Sequence, residues 1–185
     1  MFARTQRLTL RPGWPEDAAA LTRAVAHPEV VRMLAQVPWP YGIEHAEAFL
    51  ARPRRVTDVA LLILAHEDRR GPRLIGSIGI HPDPEEPDGH ELGYWLAPDA
   101  WGRGYATEAG RAVVEIARHA LGLKRLGSGH FVDNPASGRV LRKLGFRPTG
   151  RTAARYSAGR DAEVPCALFA LDLAEADSAP CAMAA

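Results

Sequence analysis

The sequence predicts an α+β fold with a mixed, mostly antiparallel sheet, and three observations carry that expectation. Apolar segments run in the order strand, two or three helices, three strands, helix, strand, helix, two strands, which is not the regular alternation of a parallel α/β sheet. The three middle strands follow one another directly, so they are expected to pair antiparallel. A helix from Ala106 to Leu121 carries one continuous apolar stripe, which needs a sheet face to cover it.

Each element has a local reason. Gln6 to Arg11 alternates Leu8 and Leu10 with Arg7, Thr9 and Arg11 and stops at Pro12, the pattern of a half-buried strand. Between Asp17 and Met33 apolar residues recur at Ala20, Leu21, Ala24, Val25 and Val30 around His27-Pro28, which predicts a helix and a second helical piece. Val37 to Gly42 is a stiff, proline-rich loop, and Ile43 to Ala51 a further helix. Val59 to Ala65 and Leu74 to Ile80 read as strands joined by a turn over Asp68 to Pro72. After an acidic loop, His81 to Gly89, Glu91 to Ala97 places Leu92, Tyr94 and Leu96 on one strand face.

In the next helix Ala109, Gly110, Val113, Ala117, Ala120 and Leu121 line the stripe, Glu108, Arg111, Glu115, Arg118 and His119 the opposite side, and Gly122 ends it. Lys124 to Val132 is a strand, and Asn134-Pro135 supplies a capping side chain and a first-turn proline for a short helix running to Gly145. Phe146 to Gly150 and Glu163 to Leu173 are the last strands, with Arg155, Tyr156, Gly159 and Arg160 in a polar loop between them. Residues 1–173 are expected to form one domain and 174–185 a frayed tail.

Composition narrows the class of function. The 185 residues carry a net charge of +1, so bulk charge suggests neither a nucleic-acid nor an acidic-surface partner. The two cysteines, Cys166 and Cys181, have no metal-type spacing, and no metal is expected. Their scarcity, the absence of an apolar leader in Met1 to Arg11, and an apolar run no longer than Val59 to Ala65 point to the cytoplasm rather than to export or a membrane.

The chemistry concentrates in two stretches. In "WGRGYATEA", residues 101–109, Gly102 and Gly104 precede a helix. Glycines there permit close backbone approach, and the free amides and positive end of the helix attract an anion such as a pyrophosphate; the alternative is a tight strand-to-helix connection. No Lys-Ser/Thr pair follows, which excludes a Walker loop. Four residues separate strand and first glycine, which argues against a dinucleotide fingerprint. In "DNPASGRVLRKLGF", residues 133–146, Ser137 shares a helix stripe with Val140, Leu141 and Leu144. That hydroxyl either bonds back to its own helix or faces a ligand.

Together these stretches, with "TQRLTLRP", "VPWPYGIEHAEAFL", "LIGSIGI", "HELGYWLAPD" and "VPCALFALDL", resemble the GCN5-related N-acetyltransferase (GNAT) family, and within it the branch of ribosomal-protein alanine N-acetyltransferases. The resemblance implies a three-layer GNAT fold, with helices on both faces of a sheet of six or seven strands that splays between the fourth and fifth. It implies acetyl-coenzyme A (acetyl-CoA) as co-substrate. Leu96 and Ala97 would pair with the pantetheine arm, the amides of Gly102, Arg103, Gly104, Tyr105 and Ala106 would hold the pyrophosphate, and Trp101 and Thr107 would complete the cofactor site. Asn134 would touch the arm from the other side, and Lys143, with Arg139 and Arg142, would reach toward the adenosine phosphates or form a solvated face. Trp101 stands where the family often has a polar residue, so the cradle is expected to act through backbone amides with the indole beside it.

Acetyl transfer needs a neutral amine, a stabilised oxyanion and a proton for the departing thiolate. Glu91 is the candidate base, acting through a water, or else a carboxylate that orients substrate; His81, His90 and His130 are alternates. A backbone amide near Trp95 or Leu96 would meet the oxyanion. By resemblance, Ser137 lies near the thioester sulfur, as proton donor or as a positioning group. Trp39, Tyr41 and Tyr156, with the basic segment from Arg155 to Arg160, are candidates for the acceptor site, a peptide amino terminus or a small amine; Trp39 between its prolines would otherwise be a lid over the core. A homodimer is compatible with the chain. The rival reading is a non-catalytic acyl-CoA-binding regulatory module.

Overall fold

Leu8 and Leu10 are fully buried while Thr9 and Arg11 are not, and this alternation seats them in an eight-stranded sheet. The computed structural model describes residues 1–53, 58–66, 71–84, 86 and 89–174. The strands are β1 (Ala3–Arg4), β2 (Leu8–Arg11), β3 (Val59–Ala65), β4 (Arg73–Pro82), β5 (His90–Leu96), β6 (Arg125–Phe131), β7 (Arg147–Ser157) and β8 (Ala162–Asp172). Their order is β1-β2-β3-β4-β5-β6-β8-β7, and every neighbouring pair is antiparallel except β5 and β6.

Helices cover both faces: α1 (Ala18–Val25), α2 (Pro28–Val31), α3 (Ile43–Ala51), α4 (Tyr105–Glu115) and α5 (Pro135–Lys143). Strand alternation divides the core between them. Leu92, Tyr94 and Leu96 of β5 pack with Tyr105, Ala109 and Val113 of α4 and Leu141 of α5. Trp95, with Leu62 and Leu64 of β3, packs on the other face against Leu21 of α1 and Ala46 of α3. A third patch, Phe131, Val164, Cys166 and Leu168, packs with Ala35 and Ala153. The α4 stripe is completed by Ala109, Val113 and Ala117, all fully buried. The helix runs on through one π turn, Ile116–Ala120, and ends at Gly122, whose φ of 64° is the left-handed conformation expected there.

Three expectations are corrected. The sheet has eight strands rather than six or seven, because the chain before Leu8 folds back as β1, pairing Ala3 with Leu10; two residues are too few to show alternation. The strand expected to end at Gly150 continues to Ser157. Gly150, at φ 76°, sits in an irregularity between Pro148 and Thr152, a bulge rather than a stop. Arg155 and Tyr156 therefore lie on a strand, not in a loop. Of the turn over Asp68 to Pro72, residues 68–70 lie outside the described residues, as do 85, 87 and 88 of the acidic loop and 175–185 of the tail.

The feature that positions a site is the parallel pair. β5 and β6 are in register only at Glu91 with Gly127 and Leu92 with Ser128. Beyond Leu92 the two strands separate, and a cleft opens toward the start of α4.

Candidate active site

Main-chain groups of β5 line one wall of the cleft. The Ala97 N–H, expected to pair with the pantetheine arm, instead donates to Ile75 O at 2.8 Å, and strand alternation then turns Glu91, Gly93, Trp95 and Ala97 toward β4. Leu92, Tyr94 and Leu96 turn toward β6. At Tyr94 and Leu96 β6 has already moved away, so their amides face the cleft with no strand opposite. The Leu96 carbonyl accepts the Trp101 indole N–H at 2.8 Å. The indole expected merely to pack beside the cradle thus ties the glycine loop to β5.

The loop itself holds Gly102 at φ 71° and Gly104 at φ 81°, and α4 starts at Tyr105. A Cβ on Gly102 would meet nothing within 4 Å, so the loop presents open space before a helix N-terminus. Helix-start amides, positive dipole and room together fit an anion. What fixes the loop from behind was hidden in the sequence, where Glu108 reads only as a polar-face residue. Glu108 accepts bonds from Thr5 Oγ1 (2.6 Å), the Arg7 amide (2.9 Å) and Arg7 Nε (2.7 Å), while Arg7 Nη1 donates to the Arg103 carbonyl at 3.0 Å. The Arg7 guanidinium also lies 4.6 Å from the Tyr105 ring centre. Partial burial pushes the Glu108 carboxyl up, but these bonds outweigh it and hold its pKa below the usual carboxylate value.

The opposite wall is the start of α5. Asn134 caps it, its Oδ1 accepting the Ser137 N–H at 3.3 Å, and Pro135 takes the first helical position. Ser137 Oγ lies 2.7 Å from the Tyr94 hydroxyl, which also reaches the Ser137 carbonyl at 3.2 Å. Sequence reasoning placed Tyr94 on a buried strand face and missed this contact. The available signal was chemical: a phenol on an inward face needs a partner. His130 packs over Gly138 of α5 and bonds its own strand through Nδ1, 2.8 Å from Phe131 O. Lys143 is exposed in the last turn of α5, at the far end of that helix from Asn134.

Glu91 sits on the other sheet face, where the strands are still paired. Its side chain is 6% exposed, and Oε1 accepts from Arg155 Nη1 at 2.6 Å. Burial works against the guanidinium charge, but the Glu91 bond and charge overcome it and raise the Arg155 pKa. Glu91 Oε2 is buried without a hydrogen-bond partner among the described residues. His81 is directly opposite Glu91 on β4, its ring over Gly93, where a Cβ would come within 2.9 Å of Nε2. Only the true length of β7 brings Arg155 here, and no local pattern around Gly150 signals that length.

The remaining acceptor-site candidates spread apart. Tyr41 is half-buried against the α1–α3 cluster, 5.3 Å between ring centres from His45, and burial, helped by Glu44, pushes its phenol up to about 12. Trp39 is exposed in the same loop. Tyr156, next to Arg155 on β7, points to the opposite sheet face and bonds Asp161. Arg160 is occupied elsewhere, forking onto both oxygens of Asp133 at 2.8 and 3.0 Å.

A parallel pair that opens in front of a glycine-started helix is the arrangement that the resemblance to the GNAT family implies, and comparison with known proteins agrees. Residues 7–147 match the family model described as Acetyltransferase (GNAT) domain. The chain is 33% identical over 156 residues to the uncharacterized N-acetyltransferase YoaA of Bacillus subtilis, covering 79% of this chain and 82% of that protein. It superposes on an acetyltransferase from Agrobacterium tumefaciens with a TM-score of 0.70 at 28% identity, covering 92% of this chain and 94% of that one. RimL, a ribosomal L7/L12 α-N-protein acetyltransferase solved with coenzyme A, has the same fold, with a TM-score of 0.78 at 17% identity over 93% and 98% of the two chains. The chain belongs to the GNAT acetyltransferase family. It is an acetyl-CoA-dependent acetyltransferase.

Proposed function

We propose that this enzyme moves the acetyl group of acetyl-CoA directly to a primary amine, with both substrates bound together, and that the amine is a peptide or protein amino terminus or a small amine. The observation that carries the proposal is the two-residue parallel pairing of β5 and β6, followed by separation in front of Gly102 and Gly104. Acetyl-CoA supplies an activated acyl thioester. In this reading the amides of Gly102 to Ala106 bind its pyrophosphate, the cleft-facing groups of Tyr94 and Leu96 hold the pantetheine arm, and Asn134 closes the other side.

Ser137 at the start of α5 is assigned to the sulfur, and the Leu96 amide to the carbonyl oxygen, since the Trp95 amide faces β4. Glu91 is assigned to the amine, by taking its proton through a water held at the unpartnered Oε2 or by orienting it. The Arg155 pair keeps that carboxylate in one place. Trp39 and Tyr41 flank the acceptor approach, Tyr156 contributes only from the edge strand β7, on the sheet face away from Glu91, and Lys143 sits toward the adenosine end. Assignment to the ribosomal-protein branch rests on the sequence stretches that resemble it.

Thiol release from acetyl-CoA tests this across peptides with free amino termini, small amines and aminoglycosides. The proposal expects release only when an amine is present, with the acetyl group recovered as an amide, and Glu91→Gln lowering kcat by about 100-fold or more. Recovery of acetyl on a hydroxyl or thiol instead would overturn the amine assignment.

A further inference from the structure

The geometry points to Tyr94 as a positioning residue that holds the Ser137 hydroxyl in the one orientation able to donate to the thioester sulfur. The inference rests on the proposed placement of Ser137 at that sulfur. Past Leu92 the two cleft walls are no longer paired through their main chains, and the Tyr94–Ser137 contact at 2.7 Å is the next link between them among the described residues. It joins the middle of β5 to the first turn of α5, so Ser137 is fixed from its own helix, by the Asn134 cap, and from the facing strand.

Which oxygen donates decides what Ser137 can do. If Ser137 donated to Tyr94, its only proton would be spent inside the protein. Of the two, the phenol is the stronger acid and so the better donor, even though burial pushes it up to about 12. The single phenol proton goes to the nearer acceptor, Ser137 Oγ at 2.7 Å, rather than to the Ser137 carbonyl at 3.2 Å. The Ser137 proton is then left to point into the cleft.

The reaction balances without ionising Tyr94. The amine nitrogen forms the new C–N bond and gives its proton to the base, the C–S bond breaks with its electron pair going to sulfur, and the thiolate accepts the Ser137 hydrogen bond before solvent protonates it. A group held at about 12 would be a poor net proton donor to a thiolate, so its role is orientation.

The test compares wild type with Tyr94→Phe, Ser137→Ala and the double variant, using coenzyme A with its free thiol as probe. Phe keeps the ring in the core, and thermal melts confirm that each variant folds. In wild type the bound thiol should ionise at lower pH than in free coenzyme A, because Ser137 donates to the thiolate. Ser137→Ala should raise the ionisation pH, Tyr94→Phe should raise it comparably, and the double variant should match Ser137→Ala alone. With a peptide acceptor, kcat should fall about 10- to 100-fold in each single variant and no further in the double. A Tyr94→Phe thiol that titrates as in wild type, or effects that add in the double variant, would overturn the role of Tyr94 while leaving Ser137 in place. A Ser137→Ala variant indistinguishable from wild type in both readouts would overturn the placement of Ser137, and this inference with it.

Discussion

Two glycines with the same backbone strain separate the cradle from ordinary fold stability. Gly102 and Gly122 have φ of 71° and 64°, and in both a Cβ would meet nothing within 4 Å. Alanine at either position has no clash to relieve and carries only the cost of the left-handed conformation, about 1–2 kcal/mol. For a chain of 185 residues that lowers Tm by roughly 2–8 °C, and by a similar amount in Gly102→Ala and Gly122→Ala. Binding should differ. Gly102 opens the anion cradle, whereas Gly122 closes the far end of the same helical segment. A loop that relaxes out of the left-handed conformation turns its amides away, and one lost charge-assisted bond to phosphate is worth about 1.5–3 kcal/mol, or roughly 10- to 150-fold. Calorimetric titration with acetyl-CoA should show that loss in Gly102→Ala and unchanged affinity in Gly122→Ala. Equal affinities in the two variants, at matched Tm losses, would refute a pyrophosphate site built from these amides.

Two further outcomes concern the ion pairs around the cleft. The Glu108 carboxyl has its folded pKa held below its unfolded value, so its contribution is fully present above about pH 4.3 and is lost as pH falls through the folded value; Tm measured from pH 7 down to pH 3 should therefore fall less steeply in Glu108→Gln than in wild type. Arg155→Met leaves the Glu91 carboxylate buried and unpaired, which should cost about 3–5 kcal/mol in denaturant unfolding, and adding Glu91→Leu should recover most of it.

Much of this architecture was readable from pattern and cap chemistry. α3 and β3 have the ends their apolar runs predict, and Asn134-Pro135 and Gly122 bound their helices as capping rules require. Local signals failed where tertiary context decided the outcome. Gly150 looks like a strand terminator and is a bulge, because β8 continues to pair with β7 beyond it. That single misreading put Arg155 in a loop and hid its ion pair with Glu91, 64 positions away in sequence. The glycine cradle and Ser137 could be found from two short stretches because each combines a helix start with residue types that serve a ligand. The Thr5–Arg7–Glu108 buttress and the Tyr94–Ser137 contact could not, since each joins segments whose proximity only the folded sheet creates.

The central claim, that acetyl-CoA lies between β5 and β6 with its pyrophosphate on the start of α4, is tested most directly by residue-resolved amide exchange with and without acetyl-CoA. Slowed exchange should concentrate at Gly102 to Ala106 and at the cleft-facing amides of Tyr94 and Leu96, with the β7 edge from Arg147 to Ser157 unchanged. Slowing at β7 or over α1 and α3, with Gly102 to Ala106 unaffected, would contradict it.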